Sequence, residues 1–379
     1  MYHIGQTLFI INPFKTNQFV RGFFVGLLIL LFTPNWAQGH FDKKVRKRPS
    51  IFDIMYQKKI LKVNLAFNVE EVISDRKNDD EHEALMTFKD KNGQFQNWVI
   101  KVNVRGVYRR FNCPEMPPLK LNFKKSELKN AGLSKFDDYK LVTHCIYDED
   151  LARKLVLKEY LAYKYYNAIT PESFRVQLLQ INYVDVQTGI IQQQLAFLIE
   201  DFGELRNRIG ANKIPKIFGV SSNQLENLNK EQFQLMSFFQ YMIGNTDWGI
   251  ESIRNVKLCE KDGKWLVIPY DFDFSGLVEA PYAMITPDYG ERFIRDRTFL
   301  GFNPLEVKLD EANKRFLKKR KKLNRITRRL KLLPRKDRKN LKMYIDSFYE
   351  GLDYVYVKKS QMSGEENPTD NKDEEQNHN

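Results

Sequence analysis

The sequence lacks the patterns by which several common enzyme classes are recognised. Its 379 residues contain no glycine-rich GxGxxG loop, no internal repeat, no Ser/His/Asp or Cys/His set and no pair of histidines at metal-binding spacing. Three cysteines, Cys113, Cys145 and Cys259, are too few for a disulfide framework and match no zinc pattern. We therefore expect at most one disulfide, and small, partly buried cysteines are the simpler interpretation.

Long apolar runs are also scarce. The run "FFVGLLILLF" follows Lys15 and Arg21 and has ten residues, short of the roughly 20 that span a bilayer. Small residues at Ala37 and Gly39 follow it. This order predicts a cleavable signal peptide over residues 1–39 and an exported protein of the periplasm or cell envelope. A membrane anchor or a buried helix is the alternative.

The net charge of +13 is concentrated in one segment. Residues 314–342 hold sixteen Lys/Arg and one acid, so the rest of the chain is close to neutral. A thin apolar stripe predicts an amphipathic helix up to Pro334, and it consists of Phe316, Leu323, Ile326, Leu330 and Leu333. Its basic face is expected to be solvated or to meet an anionic membrane surface. Scarce aromatic residues disfavour nucleic acid as a partner. Residues 40–59 are predicted to be a basic linker and 359–379 a disordered acidic tail.

The order of predicted elements indicates an α+β chain. Strand patterns fill residues 60–123, with a hairpin signal at Asn92-Gly93, and a helical pattern follows in "DEDLARKLVLKEYLAYKYYNA". Asp148 suits the start of this helix. Two more strands, an apolar helix, a hairpin with its turn at Asp262-Gly263 and further helices come next. Strands first and helices later, without βαβ alternation, favour antiparallel sheets.

One constellation of polar residues suggests chemistry. Asp247 lies in a loop after the apolar helix, Asn255 opens a strand, and a hairpin then leads to Asp271 and Asp273 in "VIPYDFDFSG". Two aspartates two apart on a strand share a face, with Phe272 packing opposite. Carboxylates and an amide suit Mg²⁺, and phosphotransferases of the protein-kinase type use such a set. Each residue alone is more often structural, since DxD is also typical of an edge strand with a wet face.

The upstream half offers partners for phosphate. Lys120 in "PPLKLNF" is the candidate phosphate lysine, with Lys101 second, and Glu159 is the helix acid that would hold it. The apolar strand that breaks at Glu200 suits a hinge whose backbone holds adenine. Arg105 and Gly106 are the nearest substitute for a glycine-rich phosphate-binding loop. Two further arginines in "VYRRFN" are placed to reach phosphate oxygens. Solvated surface charge is the alternative for every one of them.

These motifs together resemble the CotH-type atypical protein kinases of spore coats. The resemblance covers about residues 101–276 and is carried by "VRGVYRRFNCPEMPPLKLNFK", "FLIEDFGELRNR", "MIGNTDWGIESIRNVKL" and "WLVIPYDFDFSG". It implies a two-lobed protein-kinase-like fold that binds ATP and Mg²⁺. A β-rich, antiparallel N-lobe with one helix would span 60–205, and a mainly helical C-lobe 206–358. It also implies Lys120 as phosphate lysine, Asp247 as the catalytic aspartate, and Asp271, with Asp273, as metal ligands.

Three functions remain open on the sequence. The first is an exported kinase that phosphorylates a protein hydroxyl. The second is a non-catalytic interaction protein of the cell envelope on the same scaffold, because fold does not fix function. The third is a basic, membrane-peripheral or nucleic-acid-binding protein whose carboxylates are structural.

Overall fold

The structure, a computed structural model, describes residues 48–350 except 114, 286 and 303–308. The predicted signal peptide, residues 40–47 of the predicted linker and the predicted acidic tail lie outside the described residues. A mixed α/β chain is observed, with a β-rich first part and a mainly helical second part.

Seven strands close into a barrel in the order β1-β2-β3-β4-β5-β7-β6. They are β1 (Leu61–Phe67), β2 (His82–Lys89), β3 (Phe95–Val104), β4 (Leu119–Phe123), β5 (Asp138–Val142), β6 (Val176–Asp185) and β7 (Ile191–Ile199). Alternate residues point inward because side chains alternate along a strand. In β1, for example, Leu61, Val63, Leu65 and Phe67 are buried. These inward residues form one hydrophobic core.

The prediction of purely antiparallel sheets was wrong at one pair of strands. β1 pairs with β6 in parallel, from Leu61↔Leu179 to Phe67↔Asp185, and this pairing closes the barrel. Sequence order gave no indication of it, because the two strands are more than a hundred residues apart. The other neighbours in the barrel pair antiparallel.

Part of the predicted basic linker is folded. Helix α1 (Ile51–Met55) begins with a capping box in which Ser50 and Asp53 bond each other's backbone N–H groups, and Ile51, Phe52 and Met55 are fully buried. Three further short helices interrupt the region predicted to hold one: α2 (Val69–Ser74), α3 (Tyr108–Asn112) and α4 (Lys125–Asn130).

The long helix α5 (Glu149–Ile169) begins as predicted, with Asp148 accepting a hydrogen bond from the Leu151 N–H. Its apolar side chains pack outside the barrel in a second hydrophobic core shared with the C-terminal helices. The helix therefore lies between the barrel core and the helical core.

The second part of the chain contains helices and one small sheet. Its elements are α6 (Phe202–Ile209), β8 (Asn212–Lys213), α7 (Lys230–Ile243), β9 (Val256–Lys261), β10 (Lys264–Pro269), α8 (Leu309–Arg329) and α9 (Arg335–Glu350). β9 and β10 form the predicted hairpin, and Asp262 and Gly263 at its turn both have positive φ, as a tight two-residue turn requires.

The basic segment packs one side on the domain. Phe316, Leu323 and Leu333 are fully buried in the helical core, and α8 contacts α5 and α7. The helix ends at Arg329, five residues before the predicted limit at Pro334. None of the described helices has the length and apolarity needed to cross a bilayer.

Cys113 and Cys145 form a disulfide, and Cys259 is buried and reduced. His144, beside Cys145, is 2% exposed and faces the ring of Tyr183 at 6.1 Å between centroids. Burial lowers the pKa of His144 from 6.5 to about 4, so the imidazole is neutral in the folded chain.

We expect the unprotonated His144 to make the protein acid-sensitive. The unfolded chain takes up a proton at His144 below about pH 6.5 and the folded chain only near pH 4, so stability falls as pH falls through this window, by up to about 3 kcal/mol. Urea unfolding at pH 7 and pH 4.5 should show a smaller acid loss for His144→Phe than for the wild type. Equal losses in both proteins would contradict this prediction.

Candidate active site

The loop that carries Asp247 is fixed at the end of α7. Gly244 caps this helix at φ +62°, and a Cβ there would lie 2.2 Å from the Tyr344 hydroxyl, so only glycine fits. Asn245 accepts a hydrogen bond from the Asp247 N–H at 3.1 Å, and its carbonyl accepts one from the Trp248 indole at 3.1 Å. The Asp247 side chain is thereby presented from a rigid turn.

The sequence analysis predicted a strand at Asp271 and Asp273, and this prediction was wrong. β10 ends at Pro269, and Asp271 has a left-handed φ of +65°, a conformation that aspartate tolerates better than most residues. Its N–H donates to the Tyr163 hydroxyl at 2.9 Å. Phe272 is fully buried against Tyr163, with ring centroids 4.6 Å apart. Left-handed backbone at Asp271 breaks the alternation that the sequence suggested.

Backbone hydrogen bonds bring this segment to the Asp247 loop. The Gly276 N–H donates to the Gly244 carbonyl at 2.8 Å, and the Leu277 N–H donates to the Ile243 carbonyl at 2.9 Å. Aspartates from two separate chain segments therefore meet at one place. The charge of Asp271 raises the pKa of Asp247, second to burial as a cause of the upward shift.

Asn255 holds Asp247 and was predicted as a metal ligand. Its amide donates to Asp247 Oδ2 at 2.8 Å and to the Asp247 carbonyl at 2.7 Å, while Arg254 Nε lies 3.5 Å from Asp247 Oδ1. Both oxygens of this half-exposed carboxylate are thus engaged by neighbours. The geometry gives Asn255 the role of orienting Asp247.

Asp273 is engaged in a buried ion triad. Arg109 Nε lies 2.8 Å from Asp273 Oδ2, and Arg109 Nη2 donates to Glu159 Oε2 at 2.9 Å. All three side chains are nearly inaccessible. Burial lowers the pKa of Arg109, but the charges of Asp273 and Glu159 outweigh it and raise that pKa well above its usual value. Burial raises the pKa of Asp273 and of Glu159, and the charge of Asp271 adds to the rise, while Arg109 opposes it.

Glu159 was expected to hold a lysine, and it holds Arg109 instead. The predicted phosphate lysine, Lys120, lies on the outer face of β4 and pairs with Asp138 at 3.1 Å. Lys101 is exposed on β3. Neither lysine is bonded to Glu159, because the arginine on the short helix α3 occupies that position.

The hinge residue Glu200 is buried in a separate ionic cluster. Its carboxylate binds Arg175 at 2.8 Å and Arg208 at 2.8 Å, and Arg175 also binds Glu204 at 2.6 Å and Asp53 at 2.9 Å. The side chain of Glu200 is therefore structural. Only the backbone of this segment remains for the predicted adenine contact.

A pocket of about 190 Å³ lies between the barrel and the hairpin. Its lining residues are Asp138, Lys140, Phe174, Ile199, Glu200, Asp201, Phe202, Lys257 and Tyr270. Three larger cavities, of about 210, 240 and 290 Å³, lie elsewhere among the described residues. Chemistry and not size distinguishes this pocket, because it combines aromatic rings with cations next to the aspartates.

Lys140 and Lys257 were missed by the sequence analysis. The Lys140 ammonium lies 3.9 Å from the centroid of the Tyr270 ring. Burial lowers the pKa of Lys140 to about 7, with smaller contributions from the charges of Arg105 and Lys257. The charge of Asp271 acts in the opposite direction. Arg105 is half-exposed and close enough to both lysines to lower their pKa values. Three cations therefore converge near Asp271, and a lone lysine in a five-residue strand gave no hint of it.

The donor set suits a hard divalent cation at one aspartate. Asp271 is half-buried and lies near the carboxyls of Asp247 and Asp273. Of these two, Asp273 is already neutralised by Arg109. Oxygen donors of this kind are the ligands that Mg²⁺ prefers, usually one or two carboxylates with substrate phosphates. Asp271 is thus the residue of the predicted set best placed for a metal.

Comparisons with known proteins add little to this geometry. No family model matches the sequence, and no curated protein matches it. Among solved structures, the chain is similar to the crystal structure of the Helicobacter pylori proinflammatory kinase CtkA, with 12% identity and a TM-score of 0.36 over 65% of this chain and 92% of that one. Such a TM-score does not establish a shared fold. The resemblance to CotH-type kinases therefore stays a prediction.

We expect Arg109 to be essential for stability. Arg109→Met leaves Glu159 and Asp273 buried without their cation, which costs about 3–5 kcal/mol. The loss should shrink towards pH 5, because the unpaired carboxyls can then be protonated. Lys314→Met is the control, since the 70% exposed Lys314 pairs with the 74% exposed Glu311 and its loss should cost less than about 1 kcal/mol. Urea unfolding measures both, and equal costs would contradict the prediction.

Proposed function

We propose that the protein binds a magnesium nucleotide in the pocket between barrel and hairpin and transfers phosphate to a protein hydroxyl. The observation that carries this proposal is the convergence of Arg105, Lys140 and Lys257 with Asp247 and Asp271 at the edge of one pocket. Cations that face carboxylates across a small space are suited to a polyanion with its metal. A kinase-like arrangement of the two parts of the chain belongs to the same proposal.

The volume of the pocket suits the base of a nucleotide and leaves the phosphates outside. At about 190 Å³ it is smaller than the roughly 300–1,000 Å³ of typical ligand pockets, so it takes a planar ring rather than a whole nucleotide. Phe174, Phe202 and Tyr270 supply apolar walls for such a ring. The phosphates would then extend outward, towards Lys140 and Asp271.

Each side chain has a distinct role in the proposed reaction. Lys140 and Arg105 bind phosphate oxygens, and Asp271 holds the metal, which when bound neutralises charge on the phosphates. Asp247, oriented by Asn255, accepts the hydrogen bond of the attacking hydroxyl. Burial raises the pKa of Asp247, which brings it nearer to the range of a general base. Arg109 keeps Asp273 and α5 in place beside this centre.

Export from the cytoplasm remains part of the proposal. The disulfide between Cys113 and Cys145 supports it, because disulfides persist mainly in oxidising compartments. The residues of the predicted signal peptide lie outside the described part of the chain.

A non-catalytic nucleotide-binding protein is the second candidate. The observation that favours it is the engagement of both Asp247 oxygens, by Asn255 and Arg254, together with the neutralisation of Asp273 by Arg109. A site with only one available carboxylate can bind a nucleotide without catalysing transfer.

We expect Mg-ATP to raise the melting temperature of the wild-type protein through Lys140 and Asp271. Lys140→Met and Asp271→Asn should each weaken binding by at least about 10-fold, which corresponds to about 1.4 kcal/mol. Lys120→Met decides between the two lysine assignments and should bind nearly normally, as should Lys62→Met on the exposed face of β1.

Calorimetric titration of the same variants gives the affinities. Absence of any wild-type binding at millimolar Mg-ATP would overturn the proposal. Binding without phosphate transfer to any protein, unchanged in Asp247→Asn, would select the second candidate.

Nucleotide affinity should decrease as pH rises above neutrality. Lys140 has a pKa near 7 in the nucleotide-free protein, so it is charged below and increasingly neutral above that pH, and only the charged form attracts phosphate. Between pH 7 and pH 8.5 we expect a loss of about 10-fold that Lys140→Arg abolishes, because guanidinium stays charged. Proton uptake on binding at pH 8, measured in buffers of different ionisation enthalpy, checks the sign. Identical pH dependence of nucleotide affinity in the wild type and in Lys140→Arg would contradict this prediction.

A further inference from the structure

A second cluster of metal-ligating side chains lies outside the candidate active site. Glu71 is in α2, Asp75 begins the 3-10 turn that follows it (Asp75–Lys77), and His82 is the first residue of β2. Residues four apart on a helical turn face the same side, so Glu71 and Asp75 point together. The chain then returns through a short loop and brings His82 against both carboxylates.

The three side chains are close enough to share one ion. His82 Nδ1 lies 3.3 Å from Glu71 Oε1, and His82 Nε2 lies 3.3 Å from Asp75 Oδ2. One ligand atom of each residue lies within 4.8 Å of those of the other two. One zinc ion binds only one nitrogen of an imidazole, so only one of the two 3.3 Å distances can separate ligands of the same ion, and it matches the roughly 3.4 Å between two ligands of a tetrahedral zinc. The other carboxylate lies within 4.8 Å and reaches the same ion after a small side-chain movement.

The state of the imidazole is the second observation that points to a metal. The His82 side chain is only 11% exposed, and its buried Nε2 atom lies 3.3 Å from Asp75 Oδ2 without the geometry of a hydrogen bond to any described residue. A buried ring nitrogen without a hydrogen bond is costly. A metal ion satisfies such a nitrogen, because it binds the lone pair directly.

We propose that Glu71, Asp75 and His82 bind a zinc ion, with His82 ligating through one ring nitrogen and water completing the coordination. Imidazole with carboxylates suits Zn²⁺, whereas Mg²⁺ and Ca²⁺ prefer oxygen donors alone. This ion is therefore chemically distinct from the magnesium proposed at Asp271. The inference does not depend on the proposed function.

Zinc at this position would fasten helix α3. Arg76, next to Asp75, donates to the Cys113 carbonyl at 3.0 Å, and Arg110 of α3 binds Asp79 at 2.5 Å. The turn that carries Asp75 is thus bonded to the helix whose Arg109 contacts Asp273. An ion joining this turn to β2 has a structural role at the edge of the barrel.

The test is zinc binding to the full-length chain after removal of metals by a chelator. Calorimetric titration with Zn²⁺ and the visible absorption of Co²⁺ as a zinc substitute should show one site per chain that His82→Gln and Asp75→Asn weaken by more than about 10-fold. Glu83→Gln is the matched control, because Glu83 is the next residue along β2 and points to the other face. Zn²⁺ should also raise the melting temperature of the wild type and not of Asp75→Asn.

Equal zinc affinity and equal Co²⁺ spectra in the wild type, His82→Gln and Asp75→Asn would overturn the proposal. In that case His82 simply packs between the two carboxylates. We expect Asp75→Asn to fold normally, because the Asp75 side chain is 37% exposed and its replacement leaves the barrel core intact. A loss of zinc binding in this variant is therefore not explained by misfolding. Comparison between variants also removes any contribution from histidines elsewhere in the chain.

Discussion

The buried contact of Arg109 with Glu159 and Asp273 is the interaction on which the rest of the site depends. It joins three separate parts of the chain: the short helix α3 at the rim of the barrel, the long helix α5, and the turn that follows the hairpin. Charges removed from water are tolerated only when they are paired, so these three segments can occupy one arrangement and few others. Asp271, two residues before Asp273, takes its position relative to the barrel from this contact together with its hydrogen bond to Tyr163.

A second group of buried charges does the same at the other end of the pocket. Arg175 at the start of β6 connects Asp53 of α1, Glu200 at the end of β7 and Glu204 of α6. Ser50 also donates to Glu204 at 2.6 Å, which brings the beginning of the described chain into the same cluster. The pocket therefore lies between two ionic clusters, one near Asp271 and one beside Glu200. Its walls are set by electrostatic pairing at their edges and by aromatic packing between them.

Local patterns allowed much of the fold to be predicted, and long-range contacts explain the errors. Asp148 and the apolar spacing after it predicted α5, and the Asp262-Gly263 turn predicted the hairpin, because both signals lie within a few residues of each other. The partner of Glu159 lies fifty residues away on α3, so no local pattern could identify it. The alternation around Asp271 indicated a strand, but a single left-handed residue ended it. Lys140 acquires its importance only from the cations that tertiary structure brings beside it.

The parallel pairing of β1 with β6 has a consequence for how the chain folds. β1 is the first strand of the barrel, yet one of its two neighbours begins only at Val176. During synthesis from the N-terminus, β1 leaves the ribosome long before this neighbour, with one edge of backbone N–H and C=O groups unpaired. Contacts of such sequence separation close slowly, and open strand edges are the positions at which chains pair with one another. Association between incompletely synthesised copies is therefore the characteristic hazard of this barrel, and it ends when β6 arrives.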